Sequence, residues 1–225
     1  MSDTDSFIEE VTEEVKRDKL FAMIRRYGWI AVAAILLIVG GAAYNEYTKA
    51  QNVAAAQASG DAILSALQAG EGSSDSTLAD VQTPAPQAQI VADMLLGAEQ
   101  VGSGDSAAAA ATFDAIAQAG GDTPAIYRDI AAFKSVLANS DNLTVEERRT
   151  ALQSLANPGS PLALLAEEQL ALTDIEMGNS SAAIDRLNAI IEDASATAGL
   201  RRRATQLIVA LGGTPADANG VVFDQ

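Results

Sequence analysis

The sequence predicts an all-α chain, a single transmembrane helix followed by a solenoid of helical hairpins. Three observations carry this expectation: an uncharged stretch from Tyr27 to Asn45, an alanine-rich composition poor in aromatic residues, and turn signals that recur every 37 to 40 residues. Abundant alanine and scarce β-branched alternation favour helices over strands.

Residues 1–26 are expected to be a cytosolic segment. Ser6 and Glu9 stand at capping-box spacing, and Phe7, Val11 and Val15 fall near one helical face. Two roles stay open for it: contact with the inner leaflet or a membrane complex, or a solvated helix that only supplies charge.

Residues 27–45 form the expected span. Ile30, Val32, Ile35, Leu36, Leu37, Ile38 and Val39 sit among alanines and glycines with no charge between them. At ~1.5 Å rise per residue the stretch covers about 28 Å, close to the thickness of a bilayer's hydrocarbon core. Tyr27 and Trp29 at one end and Tyr44 and Tyr47 at the other occupy the places of interfacial aromatic rings. Lys16, Arg17, Lys19, Arg25 and Arg26 precede the span, whereas Lys49 is the only basic residue after it until Arg128. The basic side stays in the cytoplasm, so the N-terminus is expected inside and the remainder exported. A cleaved signal peptide, with Gly41 and Ala43 as the small-x-small site, is the competing reading, but its basic start would be shorter and less acidic. A buried helix of a soluble protein would show polar residues at helical spacing, which Gly28 to Ala43 lacks. Gly40-Gly41 with Gly28 offers a place for another membrane helix, without the four-residue glycine spacing.

Residues 46–82 are expected to form a helical stalk and a loop. Val53, Ile63, Leu64 and Leu67 are spaced for a helix, and Gly70 to Ser76 reads as a flexible connection.

Residues 83–212 carry the repeat. Thr83-Pro84, Thr123-Pro124 and Ser160-Pro161 are 40 and 37 residues apart, and each pair is expected to start a helix, the hydroxyl as N-cap and proline at the first helical position. A second turn divides each interval: Gly102-Ser103-Gly104-Asp105, then Asn139-Ser140-Asp141-Asn142 leading into a Thr144/Glu147 capping box, then Gly178-Asn179-Ser180. An offset of 74 superposes the first unit on the third, placing Leu96 on Leu170, Gly97 on Ala171, Ala109 on Ala183, Phe113 on Leu187 and Ile116 on Ile190. The middle unit keeps Ile126, Ile130, Phe133, Val136, Leu152 and Leu155 but not the small residues. Leu200 to Leu211 closes the array as a cap, with Arg201, Arg202 and Arg203 on its outer face. Residues 213–225 read as a loosely ordered tail, with Val221, Val222 and Phe223 able to dock.

The large-small pair in the first helix, the small residue early in the second and the large one four later resemble the tetratricopeptide repeat. With the Glu14-Val15-Lys16-Arg17 approach, the span, and the Gly104 and Gly178 hairpins, the whole chain resembles the ancillary Sec-translocon subunit family of Gram-negative bacteria. That resemblance implies a single-pass inner-membrane protein with a cytoplasmic N-terminus. Its periplasmic domain would bind the translocon, periplasmic chaperones or exported polypeptides and assist chaperone hand-over. A tetratricopeptide scaffold for cell-wall synthesis or cytochrome maturation is the alternative.

Composition narrows the chemistry. With no cysteine and no histidine there is no disulfide, no thiolate and no imidazole base, and no phosphate-binding glycine loop occurs. The expectation is a protein-binding domain, not an enzyme, without cofactor or metal. A net charge of −16, most of it after the span, argues against nucleic acid as a partner. Glu167, Glu168, Asp174 and Glu176 fall where the groove of a repeat array binds ligands, so either an acidic groove for basic peptides or a solvated face is expected. The arginine triplet likewise faces solvent, an acidic partner or its own domain. Self-association leaves no signal in the sequence.

Overall fold

In the computed structural model the described residues are 3–69, 78–121 and 123–216, with side chains described for 25–30, 32–69, 78–121 and 123–216. Every regular element among them is helical, and no strand occurs among the described residues. In order these are α1 (Asp3–Ala69), α2 (Pro86–Ser103), α3 (Ser106–Ala117), α4 (Ala125–Ala138), α5 (Val145–Leu155), α6 (Ala163–Glu176), α7 (Ser180–Glu192) and α8 (Ala198–Ala210). The chain divides into two compact units, Met1–Gln57 and Ala58–Gln225.

The first unit is the greater part of α1. Its stretch from Arg25 onward is long and apolar enough to cross a membrane, and protein buries no residue of its most apolar part. Leu37 is 77 % exposed and most of its neighbours on the helix are exposed too. Ser6 and Glu9 do not open this helix as a capping box, because α1 already begins at Asp3. The side chains of Lys16, Arg17 and Lys19, like those of Phe7, Val11 and Val15, lie outside the described residues, as do the loop at 70–77 and the tail from 217.

In the second unit each helix packs on the next in sequence, from α2 through α8, with a further contact between α2 and α4. Both glycine turns end their helices in the same way. Gly104 (φ 85°) and Gly178 (φ 78°) adopt the left-handed conformation that a side chain disfavours. The following amides then return to the last turn: Asp105 N–H donates to the Gln100 carbonyl at 2.9 Å and Asn179 N–H to that of Asp174 at 2.8 Å. Thr144 and Glu147 form the expected capping box at the start of α5, and the hydrogen bonds from Thr144 hold the Glu147 carboxyl below its ordinary pKa.

The threonine-proline and serine-proline pairs act differently from expectation. The helices start later: α2 takes Pro86, not Pro84, in its first turn, Pro124 is itself the cap residue of α4, and α6 begins two residues beyond Pro161. Proline pushes the residue before it out of the helical region, which favours an extended entry at each pair. Thr83 is instead held by Gln89, whose Oε1 accepts the Thr83 amide at 3.0 Å while its Nε2 donates to the Val81 carbonyl at 3.2 Å.

Among the described residues the core is three clusters in series. Phe113, Ala109, Ile116 and Ala131 join α2, α3 and α4, while Val136, Leu152 and Leu170 join α4, α5 and α6. Ala171, Ala183, Leu187, Ile190, Leu200, Ala204 and Ile208 join α6, α7 and α8. The tightest approach is Gly97 against Phe113: a Cβ on Gly97 would stand 2.6 Å from Phe113 Cε1. Only glycine allows α2 and α3 to meet at this point with the ring in place.

Gly97→Ala is therefore expected to destabilise the full-length protein by about 1 kcal/mol net, an overpacking cost of about 1–3 kcal/mol less the alanine propensity gain. Gly102→Ala, in the same helix with open space around it, is expected to be neutral or stabilising by a few tenths of a kcal/mol. Urea unfolding of both variants in detergent, followed by circular dichroism, checks the difference in sign.

Candidate functional site

Helix α6 places acidic residues on two of its faces, and each carboxylate meets an arginine from another helix. Asp174, 1 % exposed, accepts from Arg149 Nη1 of α5 at 2.6 Å and from Arg186 Nε of α7 at 3.1 Å. Glu167, seven residues earlier on the same stripe, receives the other end of Arg186. Glu168 faces α8, where Arg203 donates in a fork, Nε to Oε1 at 2.6 Å and Nη2 to Oε2 at 2.7 Å. Glu176 pairs with Arg148 of α5.

These four carboxylates and four guanidiniums cancel in charge. The expectation of an acidic groove open to basic peptides is thereby overturned, because the carboxylates at Glu167, Glu168, Asp174 and Glu176 are already matched within the domain. Burial, the largest single influence on Arg186, pulls its pKa down, but the hydrogen bonds and charges of Glu167 and Asp174 together raise it. Hydrogen bonding to Glu168 raises that of Arg203.

The arginine triplet divides by function. Arg203 pairs with Glu168, Arg201 donates to the carbonyls of Ile191 and Asp193 at the end of α7, and Arg202 is exposed. Arg201 thus satisfies carbonyls that a helix end leaves without partners.

Beside the paired charges lies a pocket of about 220 Å³ between α4, α5 and α6. Helical spacing assembles most of its wall: Val136 and Leu137 from the last turn of α4, Ser140 from the turn that follows, Arg148 and Leu152 from α5, and Gln169, Leu172 and Thr173 from α6. Val136, Leu152 and Thr173 are buried and form the floor, and Leu137 (41 % exposed) and Leu172 (38 %) stand at the rim. The Thr173 hydroxyl is satisfied by donating to the Leu170 carbonyl at 2.7 Å. Arg148 Nε is buried with no hydrogen-bond partner, although the same guanidinium reaches Glu176 through Nη2.

The residues expected to shape membrane and repeat fall as follows. Tyr27, Trp29, Ile35, Leu36, Leu37 and Tyr44 are exposed on α1, and Arg26 lies 5.8 Å over the Tyr27 ring beside Arg25. Gly97, Ala109, Phe113 and Ile116 are buried in the first hairpin, and Leu170, Ala171, Ala183, Leu187 and Ile190 in the last. Leu96 is only half-buried, unlike Leu170, which the preceding hairpin covers with Val136 and Leu152. Between residues 58 and 69 the buried face of α1 is made by Ser59 and Ala66, with Ala62 and Ile63 half-buried; Leu64 and Leu67 of the expected stripe are exposed. Beyond α8, Gly213 packs on Ile184 and Ile208, and the Ala216 amide donates to Asn188 Oδ1 at 2.7 Å. No family model matches this chain, nor does any curated protein or solved structure.

Removing one member of a buried ion pair leaves a cation uncompensated, here Arg149, while Arg186 keeps Glu167, so Asp174→Asn is expected to cost about 3 kcal/mol, the low end for a buried pair. Glu176→Gln, at a side chain 49 % exposed, is expected to cost less than about 1 kcal/mol. Equilibrium unfolding of the full-length variants in detergent measures both.

Proposed function

We propose that this chain is a membrane-anchored protein-binding adaptor, a tetratricopeptide-like hairpin array held on the periplasmic side of the bacterial inner membrane with its N-terminus in the cytoplasm. It associates with the Sec translocon and assists the hand-over of exported polypeptides to chaperones. The observation that carries the reading is α1, whose uncovered apolar stretch is flanked by Arg25 and Arg26 on one side and only Lys49 on the other.

The hairpin array is supported by sequential packing of α2 to α8, by identical glycine turns 74 residues apart, and by small residues buried against large ones at both positions. Repeats of this kind bind protein segments more readily than they build catalytic centres. An anchor changes what affinity such a domain needs. Tethering raises the effective concentration of anything emerging nearby, so weak contacts suffice.

The test places a photoreactive amino acid in vivo at Trp29 or Leu37 in the span and at Leu172 on the domain. The expected products are a translocon subunit from the span and a chaperone or exported polypeptide from Leu172. Recovery of cell-wall or cytochrome-maturation proteins in place of any translocon subunit would contradict the assignment.

A further inference from the structure

The helices of the repeat domain are not joined equally. Among the consecutive pairs from α2 to α8, packing is least extensive between α4 and α5, the two helices of the middle hairpin. The ion pairs divide the domain at the same place. Arg148, Arg149, Arg186 and Arg203 all meet carboxylates within α5 to α8, and among the described residues no ion pair or side-chain hydrogen bond runs from α2, α3 or α4 to those helices. The side-chain bonds of the first three stay among themselves, as when Thr112 Oγ1 of α3 donates to Gln100 Oε1 of α2 at 2.8 Å. In the core the two sets of helices are joined by one apolar cluster, Val136 of α4 with Leu152 of α5 and Leu170 of α6, and Phe133, Ala151 and Ala156 beside it.

This seam is also incompletely filled. The pocket of about 220 Å³ lies along it, with Val136 and Leu137 on one side and Leu152, Gln169 and Leu172 on the other. Ordinary interiors have few voids larger than a water molecule, so helices with such a space between them have room to shift. Apolar contacts impose no direction, whereas separating α5 from α6, or α6 from α7, breaks ion pairs on the buried carboxylate of Asp174. The easiest collective motion therefore runs between α4 and α5, and the turn at 139–144 is the connection that absorbs the change in backbone angles.

We propose that the repeat domain is hinged at residues 139–144, with α2, α3 and α4 moving as one block and α5 to α8 as another, so that the pocket widens and narrows as they swing. Anything that favours one pocket volume then shifts the hinge with it. The device stands whether or not the domain serves the translocon.

Because the sequence has no cysteine, one introduced thiol is an unambiguous reporter. Leu170 belongs to the seam cluster without lining the pocket and is 1 % exposed, so a thiol there reacts when the blocks part. Full-length Leu170→Cys in detergent micelles is treated with fluorescein-5-maleimide, a reagent larger than the pocket. Ile116→Cys, buried inside the first block, and Leu187→Cys, buried inside the second, are the references. The thiol at position 170 is expected to react at least about tenfold faster than either. Amide exchange within α4 and α5 is expected to give an opening equilibrium about tenfold smaller than the thiol does, because the helices stay formed while the blocks move. Val136→Cys, closer in volume to the native side chain, takes the place of Leu170→Cys if circular dichroism finds the latter unfolded. A seam thiol no faster than the references, or thiol and amide openings that match, would overturn the proposal.

Discussion

A carboxylate taken out of water has to be compensated, and Asp174 is compensated from both sides. Arg149 reaches it from α5 and Arg186 from α7, so one side chain on α6 fixes the positions of the helices before and after it. Apolar contacts such as Leu152 with Leu170 and Ala171 with Leu187 fix the relative sliding of the three helices less specifically, because aliphatic side chains tolerate shifted packing. A buried pair adds modest stability over an apolar replacement, yet it penalises every arrangement in which the partners do not meet. The register of α5, α6 and α7 follows from that penalty.

The same pairing sets the character of the surface. With Glu167, Glu168, Asp174 and Glu176 each matched to an arginine, the charges on this flank of α6 cancel. The pairing of Arg148 with Glu176 holds the guanidinium beside the pocket, and its Nε is the one buried polar atom without a partner among the described side chains.

Much of the local architecture was legible because it is written within a few residues. Gly104 and Gly178 announce helix ends through their conformational freedom, Thr144 and Glu147 announce a helix start, and the apolar run before Asn45 announces a helix long and apolar enough to cross a membrane. The pairing of Leu96-Gly97 with Phe113 was also readable, since an offset of 74 repeats it, though not that Gly97 lies in contact with the ring. What could not be read is long-range: Arg149 meets Asp174 across 25 residues, Arg203 meets Glu168 across 35, and spacing along a helix says nothing about which cation arrives from elsewhere. Hence the carboxylates of α6 read as either an acidic groove or a solvated face. The prolines misled for a different reason, because a hydroxyl-proline pair announces a helix but not how many residues later it begins. The buried face of α1 past residue 58 was missed because serine and alanine make it, and neither carries a strong apolar signal.

Hydrogen exchange of full-length Arg186→Met in detergent, read by mass spectrometry, tests most directly whether Asp174 joins the hairpins. Arg186 belongs to α7 and pairs with carboxylates of α6 alone among the described ion pairs, so any effect on α5 reaches it through α6, where Asp174 also holds Arg149. The account predicts faster exchange in α5 and α6 as well as α7, with α2 and α3 unchanged. Faster exchange confined to α7 and α8 would contradict it.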